Sequence, residues 1–195
     1  MPNNPTVVRT NSTPNSVKLV QLKVVTFQRL WTNYPSGNPY NDPAYKDQCA
    51  IRMSVTFHRV GIEMKSFSSK LVKPLSDQPS IGRIILDGKA TATRANELAE
   101  WLKLQPFAGL GKSENITGTD WLSEVKGRTG IIMFDGYWTR DGESDANASG
   151  GHIDLWNGEK LTGFGTGMRV SWNIVIPGIW SDFRDSKAIL FFPVK

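Results

Sequence analysis

The chain's first long periodic pattern opens at Ala50. Ala50, Met53, Phe57 and Val60 recur at i, i+3, i+7 and i+10, an apolar stripe along one helical face. The approach, Tyr34-Pro35-Ser36-Gly37-Asn38-Pro39-Tyr40-Asn41-Asp42-Pro43, cannot stay helical. Asp47 is the expected N-cap, because its carboxylate can accept the free N–H groups of a first turn. Gly61 is the expected stop. The pattern predicts a helix of about 14 residues, roughly 21 Å long at 1.5 Å per residue. A second stripe, Ala95, Leu98, Trp101 and Leu102, predicts a helix over Thr93 to Leu104, ended by Pro106. Shorter helices are expected from Phe27 to Trp31 and from Thr119 to Val125.

Elsewhere the apolar residues follow strand patterns. Val17 to Thr26 alternates weakly. Gly130 to Phe134 reads as a compact buried strand closed by Asp135-Gly136. His152 to Trp156 alternates and stops at Asn157-Gly158. Two more strands are expected, over Met168 to Ile176 and Lys187 to Phe192. Residues 1–16 are polar and rich in Pro and Asn, and are expected to form a mobile arm. Residues 62–80 and Thr139 to Gly151 read as irregular structure. Gly163 to Gly167 has the wrong spacing for a dinucleotide fingerprint and reads as a loop at a cleft edge. No internal repeat or linker divides the rest. Helices lead and strands follow. The expectation is one α+β domain over 17–195, with an N-terminal helix packed on a largely antiparallel sheet.

Composition narrows the chemistry. A length of 195 residues, 39% hydrophobic, suits one domain with a substantial core. The net charge is +5, yet Lys and Arg are scattered without a basic run. A mildly charged surface therefore fits better than a nucleic-acid or membrane binder. A single cysteine excludes an intrachain disulfide framework. One cysteine and two histidines leave too few ligands for a zinc site, and no metal or other cofactor is expected. No apolar run reaches membrane-spanning length. The first residues, Met1-Pro2-Asn3-Asn4-Pro5, carry no charged n-region and no apolar h-region, so no ordinary signal peptide is expected.

That cysteine, Cys49, falls in the first turn of the expected helix. Unpaired N–H groups and partial positive charge at a helix start favour a thiolate and can hold an oxyanion. The bland alternative is a small buried hydrophobe. A nucleophilic cysteine needs a base. His58 is nine residues on, and nine steps of about 100° put it on the opposite side of the helix. His152 remains. Asp154 leaves the same strand face, two residues later, and can orient the imidazole; the alternative is a plain structural pair. Arg52 and Arg140 are candidates for substrate carboxylates, or simply solvated charges.

Two tryptophan- or methionine-bearing stretches carry a family resemblance: Asp47-Gln48-Cys49-Ala50-Ile51-Arg52-Met53-Ser54 and Gly151-His152-Ile153-Asp154-Leu155-Trp156-Asn157-Gly158. With the approach Leu30 to Pro35 and the tail Ile176 to Asp182, they resemble the fourth family of type VI secretion amidase effectors. The resemblance implies a papain-like, NlpC-like cysteine amidase. It implies cleavage of peptidoglycan stem peptides between D-glutamate and meso-diaminopimelate. Cys49 would be the nucleophile and His152 the base. It also implies export by a type VI apparatus from the bacterial cytoplasm, action in the periplasm of target cells, and a cognate immunity protein. The family's usual third residue is an aspartate eleven positions after the histidine, where this chain has Gly163. Asp154 is the first substitute, with a backbone carbonyl, Asn157 or Asn173 as alternatives. A catalytically decayed cell-wall or partner-binding module on the same fold is the competing expectation.

Overall fold

The structure is a computed structural model that describes residues 5–9, 13–76, 78–138, 150–162 and 186–195. The expected strand at Met168 to Ile176, the Gly163 to Gly167 loop, Arg140, Asn173 and the tail motif lie outside the described residues. The segment expected as an arm contributes a strand: β1 (Pro5–Arg9) pairs antiparallel with β2 (Val17–Gln21). Helix α1 (Phe27–Asn33) follows, its first turn capped by the Thr26 side chain.

Helix α2 (Cys49–Arg59) is the expected helix of Cys49, trimmed at both ends. Its start corrects one expectation. Asp47 is exposed and caps nothing; the N-cap residue is Gln48, which makes no side-chain bond to the first turn. The buried Gln48 amide turns toward the approach segment instead. It donates to the Tyr45 carbonyl at 3.0 Å and accepts from the Tyr40 N–H at 3.1 Å. It thereby ties the Pro- and Asn-rich approach to the helix start. At the other end Gly61, at φ +85°, adopts the left-handed turn that glycine tolerates, and the Ile62 N–H closes on the Phe57 carbonyl at 2.8 Å.

A hairpin of β3 (Arg83–Leu86) and β4 (Lys89–Ala92) was not legible in the sequence. It is bolted to α2 through Ser54, whose hydroxyl donates to the Ala50 carbonyl and accepts the Ala92 N–H at 3.0 Å. Helix α3 (Ala95–Lys103) buries Ala95, Leu98, Trp101 and Leu102, as its stripe predicts. The two-residue β5 (Glu114–Asn115) and the short α4 (Trp121–Val125) lead into the main sheet.

That sheet comprises β6 (Gly130–Trp138), β7 (Gly150–Trp156), β8 (Ala188–Pro193) and β5, in the order β5-β8-β6-β7, all antiparallel. Asp135-Gly136 does not close β6 as expected. The strand runs on through Gly136 at φ +61°, with a register shift against β7 between Phe134 and Trp138. Such a bulge re-aims a strand without ending it. The sheet is buried on both faces. Ile131, Met133, Ile153 and Leu155 pack with α2 and α3, while Ile132, Phe134, Trp156 and Phe191 pack with Trp121 and Val125 of α4. The result is the expected α+β domain, with the first turn of α2 set against β7.

Candidate active site

Two elements separated by about a hundred residues of chain build the site. The start of α2 presents Cys49, and the start of β7 presents His152 and Asp154. Helix α2 meets β7 because its buried face, Ala50 and Met53, joins the cluster that holds Ile153 and Leu155. Gly151 sets how closely β7 approaches α3. A Cβ there would lie 2.5 Å from Asn96 Oδ1, which belongs to an amide already donating to Asp135. With glycine, the strand lies close, and the Gly151 carbonyl sits 4.0 Å from Cys49 Sγ.

Cys49 experiences opposing forces. Burial pushes its thiol up. The His152 ring pulls it down, as do backbone N–H groups of Ile153 and Ala50, and the net direction is downward. Burial likewise works against a charged His152, but Asp154 and Cys49 outweigh it and raise the imidazole to about 9. A lowered thiol beside a raised imidazole favours the thiolate–imidazolium pair.

Asp154 is buried, with Oδ2 3.6 Å from His152 Nε2. Its other oxygen, Oδ1, accepts the Leu155 N–H at 2.8 Å and the Thr162 hydroxyl. Behind it stands Tyr34, at the end of α1. Burial and the Asp154 charge push the Tyr34 hydroxyl well above its ordinary range, while the Thr162 hydroxyl and the Arg52 charge act the other way. Tyr34 and Thr162 were given no part by the sequence reading. Tyr34 stood in one of the family motifs; no sequence signal pointed to Thr162.

The structure therefore brings Cys49, His152 and Asp154 together. It sets His58 apart: its Nε2 lies 3.0 Å from the Ala90 carbonyl, and burial lowers its pKa. Asn157 is also elsewhere, its Oδ1 accepting the N–H groups of Glu159 and Lys160 at 3.0 and 2.8 Å in a tight turn. Among the described residues no cluster of His, Cys, Asp and Glu could hold a metal ion, and no helix is long and apolar enough to cross a membrane.

A cysteine in the first turn of a helix, facing a histidine on an antiparallel sheet, is the arrangement of papain-like and NlpC-like α+β folds. Residues 45–192 match the family model Tae4, type VI secretion system amidase effector protein 4, and the chain belongs to that family. No curated protein sequence matches. Solved structures share the fold. The type VI effector Tae4 from Enterobacter cloacae superposes with a TM-score of 0.52 at 16% identity, covering 89% of this chain and 99% of that one. The Tae4–Tai4 effector–immunity complex from the same organism gives 0.51 at 20% identity, covering 87% and 98%. The Tae4/Tai4 effector–immunity system of Salmonella typhimurium gives 0.52 at 17%, covering 87% and 97%.

Proposed function

We propose that this amidase effector is a cysteine hydrolase of bacterial peptidoglycan, cutting stem peptides between D-glutamate and meso-diaminopimelate. The observation that carries the reading is the imidazole of His152 set between the Cys49 thiol and the Asp154 carboxylate at a helix start. His152 takes the thiol proton, and the Cys49 thiolate attacks the amide carbonyl. N–H groups of the first turn of α2 stabilise the oxyanion. The imidazolium then protonates the leaving amine. Water, activated by His152, hydrolyses the acyl-enzyme and restores the thiol. Asp154 acts as a positioning residue: it fixes the ring and favours its charged form.

The competing reading is a decayed binding module, motivated by Gly163 in place of the family's aspartate. Asp154, with one oxygen held by Leu155 and Thr162 and the other turned to the imidazole, supplies the missing carboxylate from the strand itself. Membership of the effector family supports delivery by a type VI apparatus and action in the periplasm of a target cell. Relatives solved with Tai4 support a cognate immunity protein as partner. The test is incubation of purified peptidoglycan with the protein and with Cys49→Ala, followed by fragment mapping. New amino groups on diaminopimelate, released by the wild type alone, support the reading. Equal release by both proteins, or none by either, contradicts it.

A further inference from the structure

Arg52 is a cation beside the proposed nucleophile with no anionic partner among the described residues. It follows Cys49 by three residues, one turn along α2 and about 4.5 Å of rise. Side chains of a helix tilt toward its N-terminus, so Arg52 leans back over the turn that carries Cys49. The Tyr34 hydroxyl feels both groups, in opposite directions: the Arg52 charge lowers its pKa and the Cys49 charge raises it. The guanidinium makes one side-chain bond, from Nη2 to Asn38 Oδ1 at 2.7 Å. Its Nε is buried without an acceptor. None of the ion pairs among the described residues includes it.

A guanidinium with free donors in a fixed fork matches a carboxylate. The contact with Asn38 is exposed and takes only one of the guanidinium N–H groups, so the solvent-facing part of the fork is open to a partner that arrives from outside. We infer that Arg52 binds a carboxylate of the substrate that flanks the scissile amide. The inference rests on the amidase reading. A glutamyl residue has two carboxyl groups, and an amide formed with one leaves the other free. Diaminopimelate contributes carboxyl groups on the other side of the bond. Both sources present the same chemistry, and a substrate series separates them.

Three synthetic stem peptides are needed: one with both flanking carboxylates free, one amidated on the glutamyl side, and one amidated on the diaminopimelate side. Wild type, Arg52→Gln, Arg52→Lys and Asn38→Ala are compared for kcat and KM on each, after a melting curve confirms folding. For the wild type, one of the two amidated peptides is expected to lose on the order of tenfold in kcat/KM, mainly through KM. The affected peptide identifies the carboxylate. Arg52→Gln is expected to cut the free peptide at the amidated peptide's rate, so that the ratio falls toward one, and Arg52→Lys to keep part of it. Asn38→Ala is expected to keep the full ratio. If Arg52 merely staples the approach loop, Asn38→Ala and Arg52→Gln will behave alike, and the inference is overturned. It is also overturned if the wild type cuts all three peptides equally, or if Arg52→Gln retains the discrimination. Cleavage of none of the three by the wild type overturns the amidase reading and this inference with it.

Discussion

The two histidines of the chain meet opposite surroundings. His58 lies near the C-terminal end of α2, His152 at the start of β7, and both are partly buried. Burial alone pushes each imidazole toward neutrality. At His58 it prevails: the Ala90 carbonyl and Asp87 favour the cation, Lys89 opposes it, and the pKa falls. At His152 a carboxylate and a thiol stand beside the ring, and the pKa rises to about 9. Desolvation acts on both rings alike; the anionic neighbours decide which one holds its proton. A carbonyl offers a partial charge, whereas a carboxylate and a thiolate offer whole ones, at low effective dielectric.

The two surroundings predict opposite outcomes when each histidine is replaced. His152→Ala is expected to lower kcat/KM on peptidoglycan by about a thousandfold or more. His58→Ala is expected to remain within about twofold of wild type, with its effect confined to stability through the lost contact with Ala90. Turnover of both variants, measured after confirming folding, checks this. The reverse ranking would remove His152 from the mechanism.

Asp154→Asn makes the surroundings of His152 more like those of His58. The substitution keeps the shape and removes the charge. It is expected to lower kcat on the order of tenfold, about 1.4 kcal/mol in the transition state. The pH profile separates positioning from structure. His152, raised to about 9, holds its proton below that value and loses it as pH rises through it. The acid needed by the leaving amine disappears with that proton, so kcat/KM of the wild type is expected to fall near pH 9. Without the Asp154 charge the alkaline limb is expected to move down toward the ordinary histidine range. A lowered rate with an unmoved limb would mean that Asp154 is only structural. The same direction governs folding: a raised histidine pKa contributes stability that is complete below about pH 6.5 and lost as pH rises through 9.

Thr162→Val tests the next contact out. The hydroxyl fixes one oxygen of Asp154 and so leaves the other for the ring. Its loss is expected to cost on the order of threefold in kcat, about 0.7 kcal/mol, with a small downward shift of the alkaline limb. Thr162→Ser is expected to restore both. No rescue by serine would show that the hydroxyl alone does not hold Asp154, because valine keeps the γ-methyl and serine lacks it.

Much of this site was legible in the sequence, for a physical reason. Helical periodicity placed Cys49 in a first turn, and period-two alternation placed His152 and Asp154 on one strand face, because both patterns are local. Angular counting along α2 was enough to set His58 aside. The helix start was misassigned because an N-cap is a matter of rotamers: Asp47 has the right chemistry, but the approach loop takes Gln48 and leaves Asp47 in water. The strand β6 outran Asp135-Gly136 because pairing with β7 and β8 overrides a turn signal. The β3–β4 hairpin escaped notice because it is short and half-exposed, and its anchor, Ser54 to Ala92, spans 38 residues. Tyr34 comes to this site only through tertiary folding, and Thr162 returns to Asp154 through the turn after β7, closed by the Trp156–Leu161 bridge, so no periodicity announces either.

A lowered thiol beside a raised imidazole predicts that the folded chain holds Cys49 as a thiolate paired with the His152 imidazolium. The rate of alkylation by iodoacetamide, measured against pH for the wild type and His152→Ala, tests it most directly. Cys49 is the chain's single cysteine, so the reaction reports one site. For the wild type the rate is expected to rise with an inflection below the ordinary thiol value of about 8.5. In His152→Ala the inflection is expected to move upward, because burial then acts on the thiol without the ring to oppose it. An ordinary inflection in the wild type, an inert thiol, or identical profiles for the two proteins would contradict the account.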